Sequence, residues 1–169
     1  MLYVTQHLLK PGRHIPNNQT LPVLYYQQVY TDSHNLTSEF KKSFAKNNWT
    51  GTWVNGVFDY HHYHSKSHEV LGVAGGSAEL ILGGPDGTVF EVKAGDMVVL
   101  PAGTGHCLQS ASPDFKVVGA YPNGQENYDI CTEDDDIKAK QKNIQQVPLP
   151  TTDPVAGEHG LLTEYWKAQ

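Results

Sequence analysis

Four histidines fall within eight residues near the middle of the chain: His61, His62, His64 and His68. His62 and His64 are two residues apart, and alternate residues of a β-strand point to the same face, so both imidazoles could reach one point. Glu69 has the opposite parity. It could join them if the chain turns at Ser65–Lys66–Ser67 and Glu69 begins the next strand. This spacing is typical of a metal site.

His106 is the natural fourth candidate. It follows the glycine-rich turn PAGTG (101–105), and a histidine just past such a turn can be directed into the protein interior. Three imidazoles and one carboxylate suit a divalent transition metal such as Fe(II), Mn(II), Ni(II), Cu(II) or Zn(II), whereas calcium and magnesium prefer oxygen ligands. Four protein ligands would leave coordination positions open, which is typical of reactive rather than purely structural sites.

The segments that must position these residues are predicted to be short β-strands. From Trp49 to Tyr121, runs rich in Val, Ile, Leu, Tyr and Phe alternate with glycine-bearing turns. The predicted strands are 49–64, 68–73, 77–84, 88–92, 96–101, 106–110 and 115–122. Their spacing of about ten residues, without long helices between them, predicts an antiparallel barrel or sandwich.

The flanking segments are less regular. Residues 1–22 are predicted to form an irregular arm and 23–30 a strand. The spacing of apolar residues in 38–47 predicts an amphipathic helix capped by Thr37 or Ser38. A second helix is predicted to follow the acidic patch at 133–136 and to run to Gln146. The tail after it is expected to be extended and to dock through Leu161, Leu162, Tyr165 and Trp166.

Composition limits the domain organisation and the partners. The 169 residues predict one domain, with a core at about 49–121, an arm and helix at 1–48, and a helix and tail at 122–169. Twelve Lys and Arg against 18 Asp and Glu give a net charge of −6, which argues against nucleic acid and anionic membranes as partners. Two cysteines, no long apolar run and no secretory-signal pattern predict a cytoplasmic location.

Two motifs resemble those of the cupin superfamily. The pattern G-x5-H-x-H-x4-E-x6-G at 56–76 matches the first cupin motif without departure, and G-x5-P-x-G-x2-H at 95–106 matches the core of the second. The last position of the second motif, usually Asn, is Ser110, which is not a ligand position. The segments 15–24, 47–73, 112–125 and 147–160 further resemble the YjlB-like group of single-domain bacterial cupins.

The resemblance implies an all-β fold, the cupin jelly-roll (double-stranded β-helix) barrel, with short flanking helices and extended terminal arms. It implies one divalent transition metal, held by His62, His64, Glu69 and His106. Because cupins commonly pair through a sheet edge or through exchanged arms, it also implies a homodimer.

The function expected from these features is a metal-dependent reaction on a small molecule, with a dioxygenase-type reaction favoured. Glu69 is the candidate acid or base, and Tyr60 could hydrogen-bond a substrate or a ligand carboxylate. The alternatives are a non-catalytic small-molecule-binding or sensing cupin and a metal-dependent sugar isomerase. No Lys or Arg occupies an inward-looking position beside the motifs, which disfavours phosphosugars.

The positions of the residues near the two motifs can also be predicted. His61 is expected at the surface or behind the ligands, and His68 near the mouth of the site. Phe58 and Tyr60 share the parity of His62 and His64, so they are predicted to line the cavity. Cys107 is expected to be a small buried residue. On the facing strand, either Met97 and Val99 or Val98 and Leu100 line the interior, and the sequence leaves both choices open.

Overall fold

The structure is a computed structural model that describes residues 2–167, and most of its regular elements are β-strands. The strands are β1 Tyr3–His7, β2 Val23–Gln27, β3 Trp49–Asn55, β4 Glu69–Gly75, β5 Ser77–Leu82, β6 Thr88–Lys93, β7 Met97–Leu100, β8 His106–Ala111 and β9 Lys116–Pro122. The helices are α1 Leu36–Lys46, α2 Ile137–Gln146 and α3 Leu161–Tyr165.

The strands form two antiparallel sheets. The larger sheet has the strand order β1-β2-β7-β4-β9-β3, and the smaller one has the order β6-β5-β8. This arrangement is consistent with a jelly-roll, but the expected closed barrel is not formed. The predicted strand 49–64 ends at Asn55, and the chain between β3 and β4 makes only isolated bridges, His62 with His106 and Tyr63 with Cys131. These bridges do not continue into a ladder that would join the sheets.

One core lies between the two sheets. It contains Leu71 and Val73 of β4 with Leu80 and Leu82 of β5, among other buried side chains. Val98 and Leu100 belong to this core, whereas Met97 and Val99 belong to a second core on the opposite face of the larger sheet. The structure therefore selects Val98 and Leu100 as the inward pair. Burying each such aliphatic side chain contributes about 1.5–3 kcal/mol.

The second core is covered by α1 and the C-terminal segment. Phe40 and Phe44 of α1 pack with Met97 and Val99, and Leu162 and Trp166 complete the cluster. The predicted helix is confirmed, but the predicted cap is wrong. The cap is Asn35, in a left-handed conformation and without a side-chain hydrogen bond, because the helix already begins at the buried Leu36.

The structure also corrects the predictions for both terminal segments. The predicted irregular arm contains β1, an edge strand paired with β2 from Tyr3 to His7. The tail contains the short helix α3, although its predicted docking is confirmed by the burial of Leu162 and Trp166. The predicted helix ending at Gln146 is confirmed as α2, capped by the side chain of Asp136. No helix within residues 2–167 combines the length and apolar character needed to cross a membrane.

A buried carboxylate fastens the tail to the second core. Asp153 is fully buried and accepts hydrogen bonds from the Tyr26 hydroxyl at 2.5 Å and from the backbone N–H groups of Val155, Ala156 and Leu162 at 2.9, 3.0 and 3.1 Å. Since Tyr26 lies on β2, these bonds connect the larger sheet to the segment that leads into α3.

We expect Asp153→Ala to lower the free energy of unfolding by about 3 kcal/mol, because it leaves a buried hydroxyl and buried N–H groups without an acceptor. Urea denaturation measures this change. Glu158→Ala, an exposed change in the same segment, is the control and is expected to leave stability unaltered. Equal stability of the two variants would contradict the role given to Asp153.

Candidate metal centre

The segment that carries His62 and His64 is not a strand, yet its backbone is held on both sides. The N–H of His62 donates to the carbonyl of His106 at 3.2 Å, and the N–H of His106 donates back at 2.9 Å. On the other side, Tyr63 and Cys131 exchange two backbone hydrogen bonds of 2.9 and 2.8 Å. This pairing keeps the alternation of an extended chain, so the two imidazoles enter the same cavity.

The turn before His106 depends on its glycines. Gly103 has φ +92°, a conformation that side chains disfavour. A Cβ on Gly105 would lie 2.6 Å from Cγ2 of Ile15, which is closer than real contacts allow. The N–H of Gly103 donates to the carbonyl of His64 at 2.8 Å. The turn therefore places His106 at the start of β8, as predicted, and it also supports His64, which the sequence did not indicate.

Three of the predicted ligands converge on one point. Oε1 of Glu69 lies 3.4 Å from Nε2 of His64 and 3.4 Å from Nε2 of His106. The ligand atoms of these three buried residues all lie within 4.8 Å of one another, close enough to share a metal ion. His62 is buried beside them, and its ring centroid is 4.0 Å from that of His106, but its nitrogens fall outside that 4.8 Å group.

Each of the three imidazoles is oriented by a backbone carbonyl. Nδ1 of His62 lies 2.8 Å from the carbonyl oxygen of Tyr60. Nδ1 of His64 lies 2.5 Å from the carbonyl oxygen of Asp129. Nδ1 of His106 lies 3.0 Å from the carbonyl oxygen of Thr104. A carbonyl only accepts hydrogen bonds, so each Nδ1 carries a proton, and Nε2 is the nitrogen left to bind a metal once it is deprotonated. Metal-binding histidines have this arrangement, and the donor set therefore fits a transition metal.

The electrostatics of the site favour a cation. Burial alone would raise the pKa of Glu69, but the charge of His64 and the hydrogen bonds with His64 and His106 outweigh it and lower this pKa. Burial alone would lower the pKa of His64, but the Glu69 carboxylate outweighs it and raises this pKa. Burial and the neighbouring His106 lower the pKa of His62 to about 3, so the imidazole of His62 is neutral at pH 7 and able to bind a metal.

Asp129 supports His64 from behind, and the sequence analysis missed it. Besides the carbonyl that holds His64, its carboxylate accepts hydrogen bonds from the N–H and hydroxyl of Ser65 at 2.7 and 2.5 Å and faces Lys140 at 3.5 Å. Burial alone would raise the pKa of Asp129, but the Ser65 hydrogen bonds outweigh it and lower the pKa to about 2. Asp129 lies in an irregular segment after β9, where no periodic pattern marks it.

The candidate ligands line a cavity of about 350 Å³. Most of its remaining wall is apolar or aromatic: Trp53, Val54, Val57, Phe58, Leu71 and Ile130. Asn55, Gly56, Tyr121 and Tyr128 complete the wall. No lysine or arginine among residues 2–167 lines this cavity.

Tyr121 is a second residue that the sequence analysis missed. Its hydroxyl accepts a hydrogen bond from Nε1 of Trp53 at 2.8 Å, and burial and the adjacent Glu69 carboxylate raise its pKa. Because the indole only donates, the phenolic proton is free to point toward Glu69. The period-2 pattern of β9 contained the signal, since Val117, Gly119 and Tyr121 share one face of the strand.

The other histidines and aromatic residues only partly follow expectation. Phe58 lines the cavity, whereas Tyr60 does not; its ring stacks on Phe58 and its carbonyl, not its hydroxyl, orients His62. The prediction that His68 lies near the mouth is wrong. His68 is buried against Trp166, where Nδ1 accepts a hydrogen bond from the N–H of Ala102 at 2.8 Å. Its parity is opposite to that of Glu69, so it points into the second core.

His61 and the cysteines contribute no ligand to the cluster. His61 is partly buried, and it is absent from the group of converging ligand atoms in the described chain. Cys107 is buried, as expected, and both it and Cys131 are free thiols.

Known proteins resemble this chain in sequence and fold. Residues 52–118 match the family described as Cupin domain. Uncharacterized protein YjlB of Bacillus subtilis (strain 168) is 40% identical over 153 residues, which cover 90% of each chain. Acireductone dioxygenase from Bacillus anthracis, with a cadmium ion in its active center, is 17% identical over 72% of this chain and 79% of its own, with a TM-score of 0.40. A duf861 family protein from Thermotoga maritima is 18% identical over 52% of this chain and 92% of its own, with a TM-score of 0.35.

The identity to YjlB extends well beyond the two motifs, because it spans nine-tenths of both chains. The cupin-domain match runs from within β3 to within β9 and includes the residues that converge in the cavity. This chain therefore belongs to the cupin superfamily, as a relative of YjlB.

Proposed function

We propose that His62, His64, Glu69 and His106 hold one divalent transition metal (Fe, Mn, Ni or Zn) and that the cavity beside it binds a small-molecule substrate. One observation carries the proposal: three imidazoles whose Nδ1 atoms face backbone carbonyls line one cavity, and two of them, those of His64 and His106, place Nε2 3.4 Å from one buried carboxylate. A ligand set formed for structural reasons alone would not need an adjoining cavity.

The favoured reaction is oxidative and of the dioxygenase type. A redox-active metal bound here would supply Lewis acidity toward the oxygen atoms of a substrate and reactivity toward dioxygen. The protein would supply the rest. The apolar walls would hold the body of the substrate, Glu69 would accept a substrate proton, and the Tyr121 hydroxyl, fixed by Trp53, would position the Glu69 carboxylate. The absence of Lys and Arg from the cavity of the described chain argues against a phosphosugar isomerase.

A non-catalytic small-molecule-binding protein is the second candidate. It is favoured by the scarcity of free proton-transfer groups, since Glu69 is also a proposed ligand and Tyr121 is buried and hydrogen-bonded. A homodimer in the cytoplasm remains our prediction for the assembly and location. The edge strands β1 and β3 support the dimer, and the unpaired Cys107 and Cys131 are compatible with a reducing compartment.

Iron-loaded protein is expected to consume dioxygen in the presence of a suitable small organic substrate, with oxygen atoms appearing in the product. An oxygen electrode and mass spectrometry with ¹⁸O₂ measure this. His64→Ala, prepared identically, is the control and is expected to be inactive. Binding of substrates without oxygen uptake or product, across a broad panel of candidates, would support the binding protein instead.

We expect Asp129→Ala to weaken metal binding by about 10- to 100-fold, because His64 loses the carboxylate that fixes the loop behind it. Competition with a chromophoric chelator measures the affinity. Asp134→Ala, an exposed change in the same segment, is the matched control and is expected to bind as the wild type does. An unchanged affinity for Asp129→Ala would show that the carboxylate does not position His64.

A further inference from the structure

We propose that the cavity selects a small, flat, apolar molecule that offers one oxygen-bearing head group to the metal and carries no second charged group. This inference rests on the proposed metal site and adds the class of substrate. It follows from the charge, the aromatic lining and the size of the cavity.

The charge of the cavity wall sets the first limit. Apart from Glu69 and the histidines, the wall offers only uncharged polar groups, on Asn55, Tyr121 and Tyr128. A dication with one carboxylate leaves a net charge of +1 at the bottom of the site, which one anionic head group neutralises. A second anionic group farther up the cavity would face apolar side chains without a partner, and burying an unpaired charge is costly.

The aromatic side chains set the second limit. Phe58 stacks on Tyr60 with ring centroids 5.1 Å apart and 19° between the planes, and Tyr121 stacks on Tyr128 at 4.7 Å and 21°. Phe58 also packs edge-on against one proposed ligand, His62. Tyr128 does the same against His64. Flat rings thus lie beside two of the proposed ligands, His62 and His64, and flat ligands pack best against such rings.

Large hydrophobic side chains are unusually exposed around the cavity. Eight large hydrophobic side chains are exposed in residues 2–167. Four of them line the cavity, Val54, Phe58, Tyr128 and Ile130, and a fifth, Tyr60, stacks on Phe58. Phe58 and Ile130 are 49% and 46% exposed, respectively. Exposed apolar clusters of this kind mark binding surfaces. A volume of about 350 Å³ corresponds to roughly a dozen water-sized groups, enough for a single-ring molecule.

Hydroxamates on the Co(II)-loaded protein test this inference, because their common head group chelates the metal and only the body varies. Acetohydroxamate reports the head group alone, benzohydroxamate adds a flat apolar ring, and 3-carboxybenzohydroxamate adds a second anion to that ring. Calorimetry gives the affinities, and the visible spectrum of Co(II) shows whether the metal is bound and chelated. We expect benzohydroxamate to bind about tenfold or more tightly than either of the others.

Two exposed positions at the mouth allow variants that leave the proposed ligands intact. Phe58→Ala is expected to reduce the affinity for benzohydroxamate about three- to tenfold and to leave the affinity for acetohydroxamate unchanged. Ile130→Lys is expected to raise the affinity for 3-carboxybenzohydroxamate about tenfold, because it supplies the missing cation. Val89→Lys is the matched control. Val89 is 45% exposed on β6, away from this cavity, and its substitution is expected to alter no affinity.

The outcomes separate this inference from the proposed function. If Co(II) is not bound, or if acetohydroxamate leaves its spectrum unchanged, the metal site itself is wrong. If Co(II) and acetohydroxamate bind but benzohydroxamate gains nothing over acetohydroxamate, the metal site stands and the apolar substrate class is overturned. Equal affinities of benzohydroxamate and 3-carboxybenzohydroxamate for the wild type would overturn the charge argument in the same way.

Discussion

The buried carboxylate of Glu69, held between His64 and His106, is the interaction on which the rest of the site depends. An ionised carboxylate taken out of water is strongly destabilising unless opposite charge or hydrogen-bond donors compensate it. Here the compensation comes from the His64 and His106 side chains 3.4 Å away, and a bound dication would take over that role. Each element around the site serves to bring these groups together. β4 begins at Glu69, β8 begins at His106, and the bridged segment between β3 and β4 supplies His62 and His64.

The same arrangement explains why the sheets stay open beside the site. The residues after Asn55 leave β3, and the chain becomes extended again only where His62 pairs with His106. This departure creates room for a cavity between the larger sheet and the segment that carries Tyr128 and Ile130. The proposed ligands therefore lie at the bottom of a solvent-accessible space with apolar walls, where a metal would have both protein ligands and access to a small molecule.

The sequence predicted most of the strands because their alternation and glycine turns are local signals. β5 and β6, for example, begin at Ser77 and Thr88, as expected. Local signals failed where tertiary context decides. The alternation through 56–64 continues although the chain leaves the sheet, and β1 has no apolar stripe because it is an edge strand. Barrel closure and the cap of α1 likewise depend on packing that no local pattern encodes.

In the candidate site, too, local motifs predicted some residues, whereas others are placed by tertiary contacts. Two motifs predicted His64, Glu69 and His106, which the structure brings together, and His62, which it places beside them. The supporting residues carry no such spacing. Asp129 lies on an irregular segment far along the chain, and the carbonyls of Tyr60, Asp129 and Thr104 orient the imidazoles through the backbone, which gives no sequence signal. Tyr121 alone could have been found, from the parity of β9.

The central claim is that the four residues of both motifs hold one metal ion. Metal analysis by plasma mass spectrometry tests it most directly, on protein purified without chelators or a histidine tag, with His62→Ala, His106→Ala and the control His61→Ala beside the wild type. We predict close to one equivalent of a transition metal in the wild type and in His61→Ala, and its loss from the other two variants. A wild type that holds no metal even after reloading, or His62→Ala and His106→Ala variants that keep theirs, would contradict the account.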